Sequence, residues 1–226
     1  MINNYIFDLY GTLLHIHTDE EKISLWMYMT RFYKRKPEEL KSLYKRYCKE
    51  EFERQKVCMN SDDPEIDILR VFEKMHPMHS IDVKHIATQF REKSRDILEL
   101  YADTMDTLTS LKGQGKKIYL LSNAQEAFTL DELDQMGLTH LFDGICISST
   151  YGLKKPDVRF MDYLLNTYQL RIDESVMIGN DFNTDIAIAN KVGMQAIHIN
   201  TDHYSKEFIE NQKYAFEEIE TLRQLL

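Results

Sequence analysis

Five short apolar runs, residues 5–7, 118–121, 145–147, 176–178 and 196–199, punctuate this chain, with helix-length segments between the later ones. Those segments, residues 104–112, 127–136, 160–168 and 185–191, read as helices. Alternating strands and helices specify an α/β fold, a doubly wound parallel, Rossmann-like sheet with helices on both faces. Each run ends on a small or polar group: Asp8, Ser122-Asn123, Ser148-Ser149, Gly179-Asn180-Asp181 and Asn200-Thr201-Asp202. Open sheets of this kind bind ligands at the carboxyl edge of their strands, so chemistry is expected among those groups.

The alternation lapses between the first and second runs. Residues 19–99 read as helices only, over 20–35, 37–56, 64–75 and 82–100, with no strand. Pro37 and Pro64 suit helix starts, and Ser61, Asp62 and Asp63 supply capping side chains. His76, Pro77, Met78 and His79 read as a polar loop. Two domains are expected: an α/β core of residues 1–18 and 100–226, and a helical cap of residues 19–99 above the catalytic edge.

A formal charge of −9 argues against a nucleic-acid partner, because phosphate backbones need a basic footprint. No apolar stretch approaches the roughly 18 residues needed to span a bilayer, and the first residues lack a signal-peptide pattern. Cys48, Cys58 and Cys146 form no close pair, so no disulfide framework or metal clip is indicated. The expectation is a soluble cytoplasmic protein, monomeric by default, without nucleic-acid or membrane partners.

Asp8, at the end of the first strand, can act as a nucleophile whose acyl-type intermediate water later resolves. Gly11 permits a tight turn immediately after it. With Thr12, Ser122-Asn123, Lys155 and the acidic loop from Asn180 to Asp185, it falls at the ends of successive parallel strands, where the groups converge on one site.

In these residues the chain resembles the haloacid dehalogenase-like hydrolase superfamily, within it the members with a helical cap between the first two core strands. Four signature motifs appear in order and bracket almost the whole chain: Phe7-Asp8-Leu9-Tyr10-Gly11-Thr12-Leu13, Ser122-Asn123, Lys154-Lys155-Pro156-Asp157, and Gly179-Asn180-Asp181 through Asp185. The resemblance implies a covalent intermediate on Asp8. Ser122 and the backbone N–H of Asn123 would hold an oxygen of the transferred group, and Thr12 would steady the Asp8 loop. Lys155 would neutralise charge on the nucleophile and the transition state. Preorganised donors of this kind are worth roughly 3–4 kcal/mol each. The resemblance also implies Mg²⁺ between the Asp8 carboxylate, the Tyr10 carbonyl and an acid of the fourth motif. That acid position holds Asn180, so either its amide oxygen or Asp181 would ligate. Asp185 would order Lys155 or a metal-bound water.

Tyr10 departs from the phosphatase pattern, which has Asp there as a general acid and base worth about 10²–10⁴ in rate. The Asp-Leu-Tyr-Gly-Thr string looks like the family's 2-haloacid dehalogenases, which use no metal. Their Ser-Ser-Asn-x-x-Asp fourth motif is absent, and Met161 stands where they carry Tyr. An acid-rich fourth loop suits a cation better. The expected activity is therefore a Mg²⁺-dependent phosphatase of a small phosphorylated metabolite. The alternatives are a 2-haloacid dehalogenase and a non-catalytic phospholigand-binding domain. Arg91 and Ser94, near the return from cap to core, are the candidate substrate-binding residues. His15 and His17 could line a flap at the cap hinge.

Overall fold

The computed structural model describes residues 1–76 and 82–226, so Pro77, Met78 and His79 of the expected polar loop lie outside the described residues. In chain order, β1 (Asn4–Phe7) and β2 (Leu14–Thr18) precede α1 (Ile23–Tyr33), α2 (Pro37–Met59), α3 (Ile68–Met75) and α4 (Val83–Ser94). Then come β3 (Arg95–Leu100), α5 (Thr104–Gly113), β4 (Lys117–Ser122), α6 (Glu126–Gln135) and β5 (Gly144–Ile147). The chain continues through α7 (Ser148–Tyr151), α8 (Val158–Tyr168), β6 (Ser175–Gly179), α9 (Ala187–Val192), β7 (Gln195–Ile199), α10 (Lys206–Glu210) and β8 (Glu217–Ile219).

Six strands form one sheet in the order β5-β4-β1-β6-β7-β8, and every neighbouring pair is parallel. Ile6, Tyr119, Leu121 and Met177 pack into the core on one face, and Phe7, Ile118, Leu120 and Ile178 into the core on the other. Burial on both faces is why these strands read as unbroken apolar runs. The sheet starts in its middle: β1 lies between β4 and β6, and later strands build outward on both sides. That reversal opens a crevice at the carboxyl end of β1. Phe7 is level with Leu120 and with Ile178, so Asp8, the end of β4 and Gly179 reach the same edge.

The insert departs from the all-helical expectation. The helix expected over 82–100 stops at Ser94, and β3 pairs antiparallel with β2 as a two-stranded ribbon. The partner strand lies about 80 residues earlier in sequence, so local periodicity could not reveal it. Pro37 does open α2, but Pro64 opens no helix. It bridges to Leu153 instead, and α3 starts at Ile68, where the Asp67 carboxylate caps the Leu69 and Arg70 amides. The four helices of the insert close around Trp26, Tyr44, Phe72 and Phe90. Ring centroids lie 5.0 Å apart for Tyr44–Phe90 and 5.2 Å for Phe72–Phe90. Such tilted pairs add about 0.5–1.5 kcal/mol each beyond the area they bury.

A seam ties the insert to the sheet domain well away from the ribbon in sequence. Ser61 Oγ donates to Asp157 Oδ2 at 2.6 Å, and Ser148 Oγ donates to Glu65 Oε2 at 2.6 Å. The Lys154 amide reaches the Asp63 carbonyl at 3.1 Å, and the Glu65 amide reaches the Gly152 carbonyl at 3.0 Å. Of the side chains expected to cap a helix at Pro64, Ser61 is spent on this seam, binding Asp157, and Asp62 pairs with Lys56 of α2 inside the insert. Cys48, Cys58 and Cys146 are free thiols. Among the described residues no helix is long and apolar enough to cross a membrane.

Candidate active site

Asp8 follows β1 directly, and its amide donates to the Ile178 carbonyl of β6 at 2.9 Å, which fixes its backbone on the sheet edge. Its carboxylate meets Lys155, where Nζ lies 2.7 Å from Asp8 Oδ1 and 2.7 Å from Asp185 Oδ1. The third ammonium proton goes to the Leu121 carbonyl at 2.7 Å. Lys155 is only 1% exposed, and an ammonium so buried costs several kcal/mol unless all its donors are matched. Burial alone would lower the Lys155 pKa. The Asp185 and Asp8 carboxylates more than offset that and raise it. Burial pushes the Asp185 carboxyl up, against the opposing pull of Lys155. Two carboxylates against one ammonium leave the cluster with a net negative charge.

The loop carrying Lys155 is held by Asn123, whose side chain brackets the Lys155 peptide. Nδ2 donates to the Lys155 carbonyl at 3.0 Å, and Oδ1 accepts from the Lys155 amide at 2.8 Å. Ser122 lies beside it, 1% exposed, and its Oγ is buried without a hydrogen-bond partner. An unmatched buried hydroxyl costs about 1–3 kcal/mol, so this donor is set for an acceptor the protein itself does not supply.

The fourth motif divides its polar groups. Asp185 lies on a single π-helical turn, Phe182–Ile186, where a regular helix was expected from residue 185. Its Oδ2 also accepts from the Asp181 amide at 3.1 Å. Gly179 leaves room for this carboxylate, since a Cβ there would lie 2.2 Å from Asp185 Oδ2. Asp181 turns its own carboxylate to the Asn183 amide at 2.6 Å, as the cap of that turn. Asn180 is the member that shares a hydrogen-bond donor with Asp8. Thr12 Oγ1 donates towards Asn180 Oδ1 at 3.2 Å and Asp8 Oδ2 at 3.3 Å. One hydroxyl proton cannot serve both oxygens at once. Among the described residues no three His, Cys, Asp or Glu side chains gather as a metal cluster. The oxygens that do gather are one carboxylate and one amide, with the Tyr10 carbonyl two residues along the Asp8 loop. All are hard donors, and so small a protein set fits a Mg²⁺ ion that keeps several waters.

The Tyr10 side chain points elsewhere. Its hydroxyl donates to Glu132 Oε2 and lies 3.2 Å from Thr129 Oγ1, and burial, reinforced by Glu132, raises its pKa. Arg91 stacks over the rings of Tyr10 and Phe128 and forks onto Glu132, with Nε–Oε1 at 2.7 Å. Arg95 reaches the same oxygen at 2.7 Å. Arg91 does line a cavity of about 290 Å³ beside the strand ends, together with Tyr10, Glu20, Tyr44, Glu65 and Asn123. Burial pushes the Glu20 and Glu65 carboxyls up. Ser94 does not line it: buried at the end of α4, its hydroxyl donates to the Arg91 carbonyl at 3.1 Å. A larger cleft of about 390 Å³, edged by Trp26, Lys41 and Lys45, holds none of the strand-end groups. His17 lies in β2 with Nδ1 3.1 Å from Asp96, exposed on the ribbon.

Sequence reasoning missed several neighbours of the site. Asp202 accepts from Asn180 Nδ2 at 2.8 Å, and Thr201 Oγ1 donates to the Gly11 carbonyl. His198 Nε2 meets the Asn180 carbonyl at 3.1 Å. The strand-end rule does mark Thr201 and Asp202, which follow the last apolar run. Glu132 sits mid-helix on α6 and carries no local signal at all.

The chain belongs to the haloacid dehalogenase-like hydrolases, whose family model matches residues 5–199. It is similar to the glyceraldehyde 3-phosphate phosphatase of Methanothermobacter thermautotrophicus, with 33% identity over 106 residues, 47% of either chain. It is also similar to the phosphoglycolate phosphatase of Vibrio cholerae, with 27% identity over 149 residues, 66% of either chain. The chain spans about half the length of the first of these curated relatives. Among solved structures it shares its fold with a HAD phosphatase from Thermococcus onnurineus, at a TM-score of 0.66 and 21% identity, covering 99% of this chain and 96% of that one. A dehalogenase is similar at a TM-score of 0.62 and 20% identity, covering 99% and 95%.

Proposed function

We propose that the protein is a Mg²⁺-dependent phosphatase of a small phosphorylated metabolite, acting through a covalent phosphoryl-enzyme on Asp8. The observation that carries this reading is the buried Asp8–Lys155–Asp185 cluster set beside the unpartnered Ser122 hydroxyl. In the first step an Asp8 carboxylate oxygen bonds to phosphorus and the ester P–O bond breaks, with the leaving oxygen taking a proton. In the second, water bonds to that phosphorus and the Asp8 O–P bond breaks, giving inorganic phosphate and free Asp8. Ser122 Oγ–H and the Asn123 N–H hold one phosphoryl oxygen, and Lys155 balances the charge. Bound by Asp8, the Tyr10 carbonyl and the Asn180 amide oxygen, Mg²⁺ would neutralise charge on the transferring group. Residues 19–99 act as the cap, and the cavity between Tyr10, Glu20 and Asn123 receives the leaving group.

Tyr10 does not replace the general acid, because a phenol whose pKa is raised and whose proton is held by Glu132 does not exchange it near neutrality. The proton comes from solvent or from the cap, so substrates with good leaving groups suit the site. A second reading, dehalogenation of 2-haloacids, draws its support from Tyr10 alone, since a departing halide needs no proton. One screen separates the two: phosphate esters, acyl phosphates and 2-haloacids, each with Mg²⁺ and with EDTA. Phosphate release abolished by EDTA and by Asp8→Asn supports the phosphatase. Halide release that EDTA leaves intact overturns it.

A further inference from the structure

We infer that Asp202 is a positioning residue that locks the Asn180 amide with its oxygen towards Asp8. This rests on the Mg²⁺ reading above. An amide has two faces of opposite sense, and which one meets Asp8 decides whether the site offers a cation a ligand or a competing donor. Asn180 Nδ2 lies 2.8 Å from Asp202 Oδ2. A carboxylate only accepts, so the amide nitrogen must face Asp202 and the oxygen must face Thr12, whose hydroxyl also binds Asp8.

Without that partner the preference reverses. The Asp8 carboxylate attracts an N–H₂ group more strongly than it tolerates an amide oxygen, and a flipped Asn180 would donate to it. The position that should hold a cation would then be filled by a donor. An Asp at this position has no such choice to make, since both its oxygens accept. The need for a lock therefore arises from the presence of Asn.

The surroundings support a fixed orientation. The Asn180 amide is pressed against Gly11, where φ is +87° and a Cβ would lie 2.5 Å from Nδ2. Thr201, next to Asp202, donates to the Gly11 carbonyl, so one loop after β7 grips both the Asp8 loop and Asn180. His198 of the same strand meets the Asn180 carbonyl. Partners that orient a metal ligand in this way typically change metal affinity 10–100-fold. Asp202 is exposed, which argues for the lower end of that range.

The test is Mg²⁺ binding to the full chain by calorimetry, without substrate, for the wild type, Asp202→Ala, and Asp202→Ala combined with Asn180→Asp. Asp202→Ala is expected to weaken Mg²⁺ binding about tenfold with an unchanged thermal midpoint. The double variant is expected to recover wild-type affinity or better, because a carboxylate at 180 needs no orienting partner. Wild-type binding with Asp202→Ala within twofold of it overturns the inference alone, as does a double variant no tighter than Asp202→Ala. A wild type that binds no Mg²⁺ at millimolar concentration overturns the Mg²⁺ reading and this assignment together.

Discussion

Tyr10 gives its hydroxyl proton to Glu132, a carboxylate that also receives Arg91 and Arg95. The residue that departs from the phosphatase pattern is thus part of a buried ionic cluster joining the Asp8 loop, α4, β3 and α6. Its chemical and structural consequences can be separated by mutation.

Tyr10→Phe removes one hydrogen bond to an ionised group and leaves the ring under Arg91. Stability should fall by about 1.5–3 kcal/mol, while phosphate release from an aryl phosphate stays within a few-fold of the wild type. Urea unfolding and steady-state kinetics check the two halves. A thousandfold loss of rate with intact folding would show that the phenol takes part in proton transfer.

Glu132→Gln leaves two arginines without their counter-charge and should cost about 3 kcal/mol at neutral pH. Burial raises the Glu132 pKa, but Arg91, Tyr10 and Arg95 outweigh it, so the folded-state value is lowered. A depressed carboxyl contributes stability above its unfolded pKa, near 4.3, and loses that contribution as pH falls through the folded value. The gap between wild type and variant should therefore be full at pH 7 and shrink below about pH 4. Urea midpoints measured across that range test the sign.

Asp8→Asn should abolish turnover, by at least about 10³-fold, with the thermal midpoint little changed. Lys155→Met is the harsher change, because it leaves Asp8 and Asp185 facing one another without a cation. A loss of about 3–5 kcal/mol is expected by chemical denaturation.

Leaving-group dependence tests the missing acid. Acyl and aryl phosphates should be hydrolysed about 10²-fold faster than simple alkyl phosphates, the lower bound of what a general acid supplies. Equal rates across that panel would mean that another group protonates the leaving oxygen.

Five of the six sheet strands were legible because they are largely apolar and mostly buried, with polar groups following their ends, whereas β8, with Glu217 and Glu218 exposed, has no such run. Asp8, Ser122, Lys155 and Asp185 stand out for that reason although 147 residues separate Asp8 from Lys155. The β2–β3 ribbon was hidden because its strands find each other across the whole insert. The acidic fourth loop looked uniform in sequence, yet Asp181 caps a turn, Asp185 serves Lys155, and Asn180 shares the Thr12 hydroxyl with Asp8. Side-chain direction on a π turn has no sequence signature. Glu132 was invisible because its partners come from three other elements.

The seam of Ser61, Asp63 and Glu65 against Asp157, Lys154, Ser148 and Gly152 has a consequence for how the insert rests on the sheet domain. With the ribbon at one side and this seam at the other, the insert is a bridge with two abutments. A swing about the ribbon must first tear the seam, and losing even two of its hydrogen bonds costs about 2 kcal/mol, roughly thirtyfold in population. An insert resting on both abutments is therefore favoured roughly thirtyfold over one swung free of the seam.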